Sequence, residues 1–169
     1  MRAEENQDFT RFVSAEQAGL LRLATLLSGD PGHAEDLVQT ALMKCCRHWG
    51  RITRSGTPSA YVRRVVVTTH TSWRRRLSTT EQVMDSLPDQ ADPHDLPDPG
   101  DEELKRALRA LPPRMRTAVV LRYYEDLTEA QAADLMGCSA STVNTQTARG
   151  LARLRVTVED PAVVREERW

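Results

Sequence analysis

Apolar side chains recur at helical rather than alternating spacing along most of this chain, a pattern that predicts helices and no sheet. Residues 9–27 carry Phe9, Phe12, Val13, Leu20, Leu21, Leu23, Ala24 and Leu27, then meet Ser28, Gly29, Asp30 and Pro31, which predicts a first helix with an abrupt end. A second follows over 31–49. There Leu37, Val38, Ala41, Leu42 and Cys45 form an i, i+1, i+4, i+5, i+8 stripe, with Glu35, Asp36, Gln39 and Thr40 beside it or opposite. GRITRSGTP, residues 50–58, holds two glycines and a proline and predicts a loop. SAYVRRVVVTTHTSWRRR, residues 59–76, resumes helical spacing, although its β-branched run at 65–69 would by itself also suit a strand.

The pattern breaks between 77 and 100, where Pro88, Pro93, Pro97 and Pro99 lie among acidic residues, and this stretch reads as a linker. Beyond it a short helix over 101–111 is stopped by Pro112 and Pro113, and another runs from 114 to 124. LTEAQAADLMGCSASTVNTQTARGLARLR, residues 127–155, then carries the marks of a helix-turn-helix. Thr128 and Gln131 make a capping box, Gly137 sits at the turn, and Ser139 can cap the second helix. Ala132, Ala133, Met136, Cys138 and Val143 fall where such a unit buries its contacts. The expected fold is all-α: two small helical domains, 1–77 and 101–157, joined by an acidic, proline-rich linker over 78–100 and followed by a tail over 158–169.

Charge sharpens this division. The formal net charge is only −1, but residues 37–80 hold nine basic side chains and no acidic one, while residues 81–103 hold nine acidic and no basic. Residues 104–155 return to nine basic against four acidic. Two basic bodies joined by an acidic strap suit a nucleic-acid partner, and the basic groups are nearly all arginine, able to grip phosphate and base edges with two bonds at once. On the second helix of the helix-turn-helix, Ser141, Thr142, Asn144, Thr145, Ala148 and Arg149 are the outward candidates, with Arg153 a turn further on. Short polar side chains ending in arginine match a helix laid in a major groove. In residues 61–76, Tyr61, Arg63, Arg64, Trp73, Arg74, Arg75 and Arg76 mix aromatic faces with positive charge, which suits unstacked bases and a single-stranded backbone.

Other chemistry is sparse. No apolar run is long enough to span a bilayer and MRAEENQDF lacks a signal-peptide core, so membrane insertion is not expected and the cytosol is the expected compartment. Cys45, Cys46, Cys138 and His48 lack the spacing of a structural zinc site, and neither a metal nor a cofactor is expected. The residues alone leave open a plain helical hairpin, an autonomous helix-turn-helix regulator, or a nuclease using Asp92, Asp95, Asp98 and Asp101 with His94. A proline-broken segment is poorly preorganised for two metals, and no nucleophile is paired with a base, so catalysis is not expected.

Three segments, AEDLVQTAL (34–42), AYVRRVVVTTHTSWRRR (60–76) and LPPRMRTAVVLRYYEDLTEAQAADLMGCSASTVNTQTARGLARLR (111–155), resemble regions 2.2, 2.3–2.4 and 4 of bacterial RNA polymerase sigma factors of the extracytoplasmic function (ECF) group, and look most like its SigE-type branch. The resemblance implies σ2 and σ4 domains, promoter recognition and DNA melting for transcription initiation, with a nucleoid-associated location. It implies that Asp36, Leu37, Gln39 and Thr40 dock on the β′ clamp helices of core polymerase, with σ4 meeting the β flap. The arginine-rich helix and the loop before it would take single-stranded −10 DNA, with Arg54, Thr68 and His70 among the contacts, and the second helix of region 4 would take the duplex −35 element. It also admits an anti-sigma factor as a partner. One departure is Thr68, at a position where ECF relatives usually carry asparagine.

Overall fold

The computed structural model describes residues 2–79 and 102–159, which fall into two compact units, and no strand occurs among the described residues. The linker expected over 78–100 and the tail expected over 158–169 lie almost wholly outside the described residues. In the first unit, α1 (Ala3–Ser28) packs with α2 (Pro31–Cys46), α3 (Trp49–Arg54) and α4 (Pro58–Thr79). α1 begins before its first large apolar residue, Phe9: Glu5 accepts a hydrogen bond from the Arg2 backbone N–H at 3.3 Å and closes the first turn. It ends where the sequence signals a stop. Gly29 takes the left-handed conformation at φ 74° and donates its N–H to the Thr25 carbonyl at 2.8 Å. Asp30 then caps α2 by accepting from the Gly32 N–H at 2.9 Å, with Pro31 in the first helical position.

The core of this unit is Leu20, Leu23, Ala24 and Leu27 of α1 against Leu37, Val38, Ala41 and Cys45 of α2 and Val62, Val66 and Val67 of α4. Burying each large side chain contributes about 1.5–3 kcal/mol, enough together to override the poor helix propensity of the valine run. The expected loop over 50–58 is corrected: α3 occupies most of it and only residues 55–57 remain irregular. Trp49 and Ile52 make the difference, because both are buried. The Trp49 ring meets Phe9 at 5.1 Å and Phe12 at 4.8 Å, and its Nε1–H donates to Asp8 Oδ2 at 3.0 Å, fastening α3 to α1.

The second unit contains α5 (Glu102–Ala110), α6 (Pro113–Val119), a π-helical turn (Val120–Tyr124), α7 (Glu129–Met136) and α8 (Ala140–Glu159). Ala107, Leu108, Leu111, Met115, Ala118, Val119 and Leu121 pack with Ala132, Ala133, Met136, Val143 and Leu154. The single helix expected over 114–124 is thus two geometries. In the wide turn Glu125 N–H bonds to the Val120 carbonyl five residues back, and Asp126 follows at φ 58°. The Arg122 guanidinium donates to the Leu127 carbonyl and fixes the exit into α7.

Candidate nucleic-acid interface

The helix-turn-helix is built by its caps. Thr128 Oγ1 accepts from the Gln131 N–H at 3.1 Å while Gln131 Oε1 accepts from the Thr128 N–H at 3.0 Å. Gly137 turns the chain at φ 67°. Ser139 Oγ accepts from the Thr142 N–H at 3.1 Å and shares a hydrogen bond with the Thr142 hydroxyl at 2.9 Å. Val143, Thr147, Gly150 and Leu154 form the inner side of α8. At 3.6 residues per turn the opposite side then carries Ser141, Asn144, Thr145 and Ala148, flanked by Arg149 and Arg153; all six are exposed, and Thr142 is half-buried. The expected inner set holds for Ala132, Ala133, Met136 and Val143, whereas Cys138 is only half-buried. Thr145 Oγ1 is turned back onto the Ser141 carbonyl at 3.1 Å, and Asn144 Nδ2 donates to Glu129 Oε1 at 3.0 Å. Sequence reasoning did not find Glu129, whose only signal was its place in the first turn of α7.

On α4 the candidates separate into two faces. Tyr61, Arg64, Thr68 and Arg75 are exposed and share one stripe of the helix. Arg63 lies on the other side, half-buried, with its Nη2 3.1 Å from where a Cβ on Gly19 would stand. His70 is a correction: at 5% exposure it belongs to the core, since it falls on the side of α4 that carries Val62, Val66 and Val67. Thr69 beside it is buried too and accepts from Lys44 Nζ at 3.1 Å. Trp73 is half-buried, its ring edge-on to His33 at 6.1 Å, while Arg74 and Arg76 are exposed. Partial desolvation lowers the Arg74 pKa, yet a guanidinium keeps its charge near neutrality. Thr68 Oγ1 donates to the Val65 carbonyl at 3.1 Å and keeps its lone pairs toward solvent.

Arg54 stands apart from α4. It helps to line an open groove of about 680 Å³ with Glu5, Met43, Cys46, Arg47, His48 and Arg51, and its Nε–H donates to the Gly50 carbonyl at 2.9 Å. Arg47 and Arg51, absent from the expected set, line the same groove, and their spacing of four and then three residues up to Arg54 was visible in the sequence. On α2, Asp36 and Gln39 are exposed and Thr40 half-buried. Leu37 is a second correction: it is 1% exposed, because it lies on the same stripe as Val38 and Ala41, and offers no surface to a partner. Among the described residues no group of three or more His, Cys, Asp or Glu side chains could hold a metal ion. Burial pushes the Cys45 thiol from 9.0 up to about 11, leaving it protonated rather than a ready ligand.

The Sigma-70 region 2 family model matches residues 12–80, and the Sigma-70 region 4 model matches residues 101–154. RNA polymerase sigma-E factors of Streptomyces avermitilis and Streptomyces coelicolor are each 36% identical over 171 residues, covering 95% of this chain and 93% and 94% of theirs. The chain belongs to the sigma-70 family. It is a sigma factor of the ECF group that recognises promoters and initiates transcription with core RNA polymerase. The ECF RNA polymerase sigma factor SigE of Mycolicibacterium smegmatis is 31% identical over 144 residues, 79% of this chain and 55% of that one. The sigma factor shares its fold with RpoE of Bartonella quintana, solved in complex with the anti-sigma factor NepR, at a TM-score of 0.64 and 22% identity over 90% of this chain and 98% of that one. No helix among the described residues is long and apolar enough to cross a membrane.

Proposed function

We propose that the two units divide promoter recognition between them, with residues 1–77 acting as σ2, 101–157 as σ4, and 78–100 linking them. The outer face of α8 carries this reading: short polar side chains and arginines stand exposed while Val143 and Leu154 anchor the opposite side. Ser141, Thr142, Asn144, Thr145, Ala148, Arg149 and Arg153 read duplex −35 DNA. The Tyr61, Arg64, Thr68 and Arg75 stripe, with Trp73, Arg74 and Arg76 near its end and Arg54 on the adjoining groove, takes the −10 strand once bases leave the stack. Arg63 contributes charge from the α1 side. Flipping a base costs a few kcal/mol, which aromatic stacking at about 1–3 kcal/mol per base offsets, and this supports a part in melting.

Asp36, Gln39 and Thr40 offer polar register on the exposed side of α2 and bind the β′ clamp helices, while σ4 meets the β flap. The chain itself performs no catalysis; phosphodiester chemistry belongs to the polymerase. It works in the cytoplasm at the nucleoid, and an anti-sigma factor, of the kind bound to the Bartonella protein, is a further partner. Run-off transcription with bacterial core polymerase and promoters varied at −35 and −10 tests the proposal. Transcripts that require both the protein and particular bases are expected. The absence of both transcripts and core binding would overturn it and return the helix-turn-helix to an autonomous regulator.

A further inference from the structure

The Glu129–Asn144 hydrogen bond crosses the helix-turn-helix from the first turn of α7 to the exposed face of α8, at 3.0 Å. An ionised carboxylate can only accept, so the chemistry fixes which end of the Asn144 amide faces it: Nδ2 must, and Oδ1 must not. A free asparagine can rotate its amide and present either two donors or an acceptor with a donor. Held by Glu129, Asn144 keeps one Nδ2–H and both Oδ1 lone pairs for other partners. That combination complements adenine, whose major-groove edge offers the N6 amino donor and the N7 acceptor, and opposes guanine, whose O6 and N7 both accept. The neighbouring hydroxyls do not duplicate this pairing of donor and acceptor, because Thr145 Oγ1 commits its one proton to the Ser141 carbonyl and the Thr142 hydroxyl is shared with Ser139.

We infer that Glu129 is a positioning residue for promoter specificity: by holding the Asn144 amide nitrogen, it commits Asn144 to an amino-bearing base, adenine first, at one position of the −35 element. This rests on α8 being the −35 reader. A negative charge beside the reading helix opposes general affinity for a polyanion, so the bond's value lies in discrimination rather than strength.

The test is holoenzyme assembled from core polymerase and the full chain, scored on promoters with each −35 base pair changed in turn. Wild type should prefer adenine over guanine at one position by about ten-fold or more, the range of one good two-bond contact. N144A should erase that preference alone. E129A should lower it to about two-fold at the same position and leave every other position unchanged, a pattern that loss of fold or general affinity does not produce. E129Q, whose amide can accept or donate, should fall between. If N144A erases the preference but E129A and E129Q keep it whole, the positioning role is overturned while the −35 assignment stands. If neither N144A nor R149A alters any −35 preference, the assignment of α8 fails and the inference falls with it.

Discussion

Gly150 of α8 passes so close to Val119 of α6 that a methyl group at position 150 would stand 2.7 Å from Val119 Cγ2 and 3.5 Å from the Met115 carbonyl oxygen. The helix carrying the −35 face is therefore seated on its partner through a missing side chain. Gly150→Ala should destabilise the second unit by about 1–3 kcal/mol, the usual cost of overpacking, despite the better helix propensity of alanine. Adding Val119→Ala should return part of the loss. Thermal unfolding of the three variants checks both statements.

The Asp8–Trp49 bond predicts a cost at the other end of the chain. Asp8→Ala leaves a part-buried indole N–H without its acceptor and should lower stability by about 1 kcal/mol, whereas Asp8→Asn, which keeps an acceptor oxygen, should lower it less. Urea unfolding followed by tryptophan fluorescence gives the difference.

Cys45 should be silent toward alkylation in the native protein at pH 8, with Cys46 and Cys138, both half-buried, reacting first; peptide mapping after labelling distinguishes them. A raised pKa means that the native state favours the protonated thiol. Its contribution to stability is therefore complete below the ordinary value of 9.0 and is lost as pH rises through about 11.

Arg149→Ala should cut promoter-specific initiation about ten-fold or more while core binding stays intact, because Arg149 is exposed beside the outer face of α8. Loss of one base or phosphate contact costs about 1–3 kcal/mol, roughly ten-fold or more in promoter affinity. Run-off transcription and a core pull-down read the two effects separately, and normal transcription by this variant would refute the assignment.

Asp36→Arg combined with Gln39→Ala should weaken core binding at least about ten-fold, as reversal of a charge in an interface does, with little change in melting temperature. Both side chains are exposed, so the fold does not depend on them. Analytical ultracentrifugation with core polymerase measures the first effect and calorimetry the second.

The helices and the helix-turn-helix were legible because they depend on local rules: the Thr128 and Gln131 cap, the Gly137 turn and the Leu37, Val38, Ala41, Cys45 stripe all stand as the pattern predicts. α3 was not, because glycine and proline mark punctuation while the reason for its helix, Trp49 under Phe9 and Phe12, is about forty residues distant in sequence. The start of α1 was missed for the opposite reason: its first turn is polar and leaves no apolar signal. Among site residues, chemistry was easier to see than facing. His70 has a fitting side chain but lies on the buried side of α4, and a periodicity judged over a valine-rich run gives no phase for a polar residue within it, whereas Leu37 already stood on the apolar stripe of α2 and only the family resemblance offered it for docking. Glu129 needed the fold, since nothing local joins it to Asn144.

The five-residue wide turn between α6 and the helix-turn-helix acts as a phase shifter. By taking one residue more than an α turn, it uncouples the azimuth of α7 and α8 from the apolar stripe of α6, so that Val120 and Leu121 still point inward while Tyr123 and Tyr124 emerge at 64% and 40% exposure. A one-residue deletion there would leave composition and charge almost unchanged, yet would turn the helical residues that follow it in the turn by about 100° relative to α6 and move the point from which the chain enters α7. The angle at which this protein offers its reading helix is thus written in backbone count, where a comparison of side chains alone would not find it.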